Sequence, residues 1–287
     1  MSKIAFYNPK HVPEEGVFGA ATLGLAGMPD AKDDAVYEFK LQPHGIVLNG
    51  TYEEVLSQIE DADYKAAIVL FGNAGGENLF MKQISAKLDC PIIGGGAAMD
   101  GPVGGLIAGG GQVSVLLIDD ENYKAMIKMK NIHYRTHCSC QVDFDEASPR
   151  IVKAIDGENP AQWLKKQKAK LGLAETDFEH FTLSDMRGIN AHLSWDGENI
   201  VSGRDLEHEM ISRYIKPEEV YDTVYDFYND DENTIVFGCA GIKGITGEIT
   251  SVKSLGLYMF GEICMTMGGA EFGNLMLSKI KFIKKGE

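Results

Sequence analysis

EEVLSQIEDADYKAAIVLFG (residues 53–72) and EEVYDTVYDFYNDDENTIVFG (residues 218–238) are two versions of one pattern and align with a single one-residue insertion. Each opens beside a helix-start signal, Thr51 in the first copy and Pro217 in the second. Apolar residues then recur at i, i+3 and i+4 as far as an acidic turn, which predicts an amphipathic helix. The apolar runs that follow, 65–71 and 234–237, lack the polar alternation of a half-solvated strand. They read as strands covered on both faces.

Both copies next turn on glycine, through GNAGG (72–76) and GCAGIKG (238–244), and reach a second strand, CPIIGGG (90–96) and LGLYMFGE (255–262). In the first copy a helix over 77–88 bridges the two strands, a β-α-β unit whose strands must run parallel. The second copy has only 247–253 in that place, a shortened crossover. A third strand closes each copy, at 112–118 and 275–283. A repeat of about 165 residues is too long for a solenoid and indicates duplication of one α/β unit. The expected architecture is therefore α/β, with two duplicated mixed halves packed sheet to sheet as a four-layer α-β-β-α sandwich. The boundary falls near residue 131, giving domains 1–130 and 131–287. Beyond it an alternating strand meets the turn Asp156-Gly157, and Asn159-Pro160 starts a helix by cap and N1 proline. In that helix WLKKQKAK presents Lys165, Lys166, Lys168 and Lys170 to solvent, with Trp163 and Leu164 as the buried edge.

Composition narrows the function. Hydrophobic residues are 44% and charged residues 24%, as in a globular chain, and 42 acidic against 27 basic residues give a net charge of −15. That field repels polyphosphate and anionic lipid, so neither nucleic acid nor a membrane surface is an expected partner. Five cysteines in 287 residues are no disulfide framework and fit a reducing compartment. The opening MSKIAFYNPKHVPEEG has no apolar core of a signal peptide, and the weakly apolar run 16–28 is too short to span a bilayer. The expected location is cytoplasmic.

The segments RIVKAIDGENPAQWLKKQKAKLGL, IVFGCAG, GLYMFGEI and EFGNLML, in that order, resemble the C-terminal FIST domain, and PIIGGGAAMDG followed by QVSVLLI resembles the N-terminal FIST domain. The resemblance runs from about residue 66 onward. It implies a sensory module of signal transduction that binds a small ligand, for which amino acids have been suggested, and that signals to a separate protein. Some relatives bind haem and respond to nitric oxide, others carry an F-box. A homo-oligomer is compatible with this reading.

The candidate ligand-binding residues lie where strands run into glycine: Cys239, Glu262, Asn274, Asn73, Gly95 and Gly261. Glu262 and Asn274 match the GE and N positions of the resemblance. An acid there accepts backbone amides or an ammonium group, and an amide side chain both donates and accepts. The run 94–111 holds nine glycines, which shape a ligand loop or permit close strand packing. No catalytic residue is assigned, and Cys239 is the one candidate thiol, for which Lys243 is the local cation. No metal is expected, because the paired Cys138 and Cys140 lack the second pair of a tetrahedral site. No cofactor is assigned, with haem on His133 or His137 as the alternative the resemblance offers. GxSxG, HExxH, P-loop and CxxC motifs are all absent.

Overall fold

The computed structural model describes residues 3–7, 17–22, 25–26, 36–72, 75–97, 107, 110–247, 249 and 251–286. In chain order the first elements are β1 (Lys3–Tyr7), β2 (Val17–Phe18), β3 (Leu25–Ala26), β4 (Val36–Glu38), β5 (Gly45–Gly50), α1 (Tyr52–Gln58), β6 (Ala66–Phe71), α2 (Glu77–Lys87), β7 (Ile92–Gly96), β8 (Val113–Ile118) and β9 (Tyr123–Asn131). They are followed by β10 (Arg135–Asp145), β11 (Ser148–Ile155), α3 (Pro160–Leu171), β12 (Phe181–Ser184), β13 (Asn190–Ala191), β14 (Leu193–Trp195), β15 (Ile200–Ser202) and β16 (Glu209–Tyr214). The chain ends with α4 (Pro217–Tyr228), β17 (Thr234–Cys239), α5 (Ala240–Thr246), β18 (Leu255–Thr266), β19 (Gly269–Gly273) and β20 (Met276–Lys284). The fold is mixed α/β. No helix among the described residues is long and apolar enough to cross a membrane.

Two compact units result: Met1–Lys130 with Val224–Phe272 and Leu277–Glu287, and Asn131–Thr223 with Gly273–Met276. The opening segment of the first unit ends at Lys130. The assignment of everything after it to a second domain needs correction, because β17, α5 and β18 belong to the first unit.

In that first unit both copies of the repeat share one sheet, ordered β5-β8-β6-β7-β18-β17-β20-β9, with β3 and β19 also paired to β18. Read outward from the β7–β18 seam, the orders β7-β6-β8-β5 and β18-β17-β20-β9 are the same. Each copy begins with a parallel pair and continues with an antiparallel one. The halves thus meet edge to edge and not face to face as expected. Pairing satisfies the backbone groups that both edge strands would otherwise leave open.

Alternate residues of the shared sheet feed opposite cores. On one face Ile68, Leu70, Leu116, Ile235, Phe237 and Met259 pack with Ile4 and Phe6 of β1, which lies in a three-stranded sheet ordered β2-β1-β4. On the other, Val69, Phe71, Val115 and Ile263 pack with Val55 of α1 and Phe80, Met81 and Ile84 of α2. Thr51 opens α1 through a reciprocal capping box with Glu54.

Sheet register also fixes how the copies correspond. Val69 pairs with Gly94 and Val115, and Val236 with Gly256 and Lys279. One residue on, Leu70 faces Gly95 and Ser114, while Phe237 faces Leu257 and Ser278. Phe237 is therefore the counterpart of Leu70, on the same core face, and Phe71 is the counterpart of Gly238. The alignment of Phe71 with Phe237 is one residue out of step.

The second unit is not a copy of the first. Its sheet is ordered β13-β12-β16-β10-β11-β15-β14, and only His192 separates β13 from β14. The segment 190–195 therefore pairs with β12 at its start and with β15 at its end, closing an antiparallel barrel. Trp163 and Leu164 of α3 join Cys140, Phe181, Leu183 and Leu193 in its core. Asn159 caps α3 and Pro160 takes its first turn, as the sequence predicts.

Candidate functional site

Four of the six expected ligand-binding residues come together at the β7–β18 seam. Cys239 ends β17 on the face that carries Ile235 and Phe237, and it pairs with Met259 of β18. Past Met259, β18 bulges: its pairing with β7 shifts between Phe260 and Glu262, and the inserted Gly261 has φ 73°. A side chain is strained there, so glycine is the residue that lets the strand bulge. The bulge re-aims the strand so that Glu262 sits directly across from Gly95. Gly95 is level with Leu70, which faces the β1 side of the sheet, and Glu262 projects to that same side.

Glu262 is fully buried and Cys239 half-buried. A Cβ on Gly95 would stand 2.6 Å from the Gly261 carbonyl oxygen and 3.1 Å from Met259 Cβ. This part of the glycine run is thus explained by close strand approach. Charge at the site extends across the sheet. The Tyr228 hydroxyl is held well above its usual range first by complete burial, then by Tyr258, Glu262 and Cys239. Burial also pushes the Cys90 and Cys140 thiols up to about 12, which keeps them protonated and inert.

The remaining two residues are not at the seam. Asn73 lies outside the described residues, as do 98–106 of the glycine-rich loop. Asn274 falls in the second unit, where its N–H donates to the Asn190 carbonyl (3.3 Å). Gly203 makes room for its amide, since a Cβ there would be 2.5 Å from Asn274 Oδ1, and that oxygen is buried without a hydrogen-bond partner.

Asn190 is the hub of a buried polar network. Its Nδ2 donates to Asn131 Oδ1 (3.0 Å) and His133 Nδ1 (3.2 Å), and its Oδ1 accepts from Ser184 Oγ (2.5 Å). His133 Nε2 donates to the Glu179 carbonyl (2.7 Å). Both ring nitrogens are engaged, so His133 does not fit an axial haem role. His137 Nε2 lies 3.1 Å from Gln167 Oε1. Cys138 and Cys140 share the core side of β10, where Cys138 Sγ meets Ser212 Oγ at 3.1 Å. Among the described residues no three His, Cys, Asp or Glu side chains are grouped to hold a metal ion.

Lys168 corrects the solvated-face reading of α3. It is fully buried, donates to the Glu175 carbonyl (2.9 Å), and places Nζ 3.5 Å from the Phe178 ring centroid. Burial lowers its pKa to about 8. Helical spacing put it beside Leu164, four residues back, which is the signal that could have revealed it.

Concavities among the described residues of the first unit include two that hold no expected site residue. One, of about 410 Å³, is lined by Phe39, Lys40, Asp231, Lys253 and Leu255 among others at the start of β18; another, of about 300 Å³, lies between Asp61, Asp63, Asp89 and Cys90. Comparison of the chain with protein-family models and with curated proteins found no match.

Proposed function

We propose that this chain is a cytoplasmic sensory module of the FIST type, which binds a small polar or amino-acid-like molecule at the seam between its two repeats and signals to a separate protein. The observation that carries this reading is the position of Glu262. Its buried carboxylate shares one sheet face with half-buried Cys239 and with Gly95, which contributes no side chain of its own. Such a carboxylate suits an ammonium or amide donor, because a charge-assisted hydrogen bond offsets the cost of burying it. Binding must favour one conformation of the seam over another for a signal to pass.

Thermal shift against a panel of amino acids and small amines tests this reading. A ligand at 100 times its Kd adds about 2.7 kcal/mol to the native state and raises Tm. Glu262→Gln is expected to abolish that rise. A panel in which no compound shifts Tm, or a shift that persists in the variant, overturns the proposal.

A second reading, a thiol-dependent enzyme, draws on Cys239, which is less buried than the inert Cys90 and Cys140 and lies on the same face as Glu262. Selective alkylation of Cys239 near neutral pH would support it; labelling no faster than that of Cys138 would count against it.

A further inference from the structure

The shared sheet ends in β9, which pairs with β20 and, among the described residues, has no strand on its other side. We infer that this outer edge is a docking edge for an acidic, extended segment of a partner protein, which adds to the sheet as one more strand. At nine residues β9 is longer than the usual strand of five or six, and an open edge of that length is a ready template for main-chain pairing.

Its side chains select the occupant. Tyr123, Ala125 and Ile127 lean on the core yet are only half-buried, as befits an uncovered edge. Lys124, Met126 and Lys128 point the other way and are exposed, Met126 at 50%. Among the described residues neither Lys124 nor Lys128 has a hydrogen-bond or ion-pair partner. On neighbouring β20 the lysines facing the same way, Lys279 and Lys281, are already held by Asp230 (2.6 and 3.1 Å). Two uncompensated ammonium groups thus flank an exposed methionine, in a chain whose net charge is −15.

A second copy of β9 is a poor occupant, since it would set lysine rows against one another, and like charges directly across a strand pair repel. Glutamates at alternate positions of an incoming strand would instead stand across from Lys124 and Lys128. Lysines on an edge deter self-pairing in any sheet protein; the inference is that here they also admit an acidic strand.

The test uses the full chain and two nine-residue peptides, one alternating Glu and Val, the other Lys and Val. The Glu peptide is expected to slow amide hydrogen exchange across residues 123–131 and to bind at least tenfold more tightly than the Lys peptide. K124E/K128E should reverse that preference, which a misfolded protein could not do, and K124Q/K128Q should flatten it. Unchanged exchange in β9, equal affinity for the two peptides, or a preference unaltered by both variants overturns the inference. So does a concentration-dependent dimer that protects the same amides. No seam ligand enters the experiment, so this inference and the proposed function can fail separately.

Discussion

At the same sheet position the two repeats make opposite choices. In the first copy the strand supplies the bulk: Phe71 packs edge-on against Tyr52 of α1 (6.2 Å between centroids), Phe80 of α2 (5.9 Å) and Phe272 of β19 (5.8 Å). In the second copy the strand supplies Gly238, and the helix supplies Tyr228, whose hydroxyl donates to the Leu257 carbonyl (3.2 Å). A Cβ on Gly238 would overlap that hydroxyl, and one on Gly256 would overlap the Tyr228 ring. The filled space is thus the same in both repeats, with the ring on the strand in one and on the helix in the other. What is retained is volume, in keeping with interiors packed like crystals.

If volume is the retained quantity, emptying either position should cost the same. Phe71→Ala and Tyr228→Ala are each expected to lose about 3–5 kcal/mol in chemical denaturation, the range for large-to-small core changes. A loss at one position with near-neutrality at the other would break the comparison. Acid should separate the repeats from the barrel instead. His133 is buried and its pKa is lowered from 6.5 to about 4 by desolvation, so the unfolded chain binds this proton more readily than the native one. Stability falls as pH drops from 6.5 toward 4, by about 3 kcal/mol from this residue alone. Hydrogen exchange at pH 4.5 should therefore show β12 and β13 opening before β6, since His133 is the one fully buried histidine among the described residues and lies in the barrel unit.

Filling the notch is the converse experiment. Gly238→Ala is expected to cost about 3 kcal/mol by overpacking. Tyr228→Phe should recover part of that loss by withdrawing the hydroxyl, although it gives up a hydrogen bond of about 1 kcal/mol. If G238A/Y228F is no more stable than G238A, the notch is not what couples strand and helix. Smaller again is the capping difference. Thr51→Ala removes the capping box of α1 and should cost about 1 kcal/mol.

The repeated strand order was legible because unbroken apolar runs and glycine turns recur in sequence. Its register was not, since IVLFG and IVFGC invite alignment of their phenylalanines while strand register, Val69 with Gly94 and Val236 with Gly256, makes the two valines the counterparts. Nor could the sequence tell edge-to-edge from face-to-face assembly, which depends on β7 and β18 finding each other across about 160 residues. The barrel was hidden for a local reason: residues 190–195 change partners at His192, so no run looks like one strand. Of the candidate site, Cys239, Gly95, Gly261 and Glu262 were readable as strand ends meeting glycine. Their convergence rests on the bulge at Gly261, and Met259 between them looked like ordinary core.

The subtlest trace of the doubling tests the register itself. Ser114 faces Leu70 and Ser278 faces Phe237, so the two serines are counterparts, and both bury a hydroxyl that has no hydrogen-bond partner. An unpaired hydroxyl in an apolar core costs about 1–3 kcal/mol, whereas removing one oxygen leaves a small void that returns part of the gain. Ser114→Ala and Ser278→Ala should therefore each stabilise the protein, by about 1 kcal/mol, and the two should add, because distant sites act independently. Melting curves of the single and double variants decide it. Gains of opposite sign would mean that the positions are not equivalent; losses at both would mean that each hydroxyl bonds a group held within the sheet.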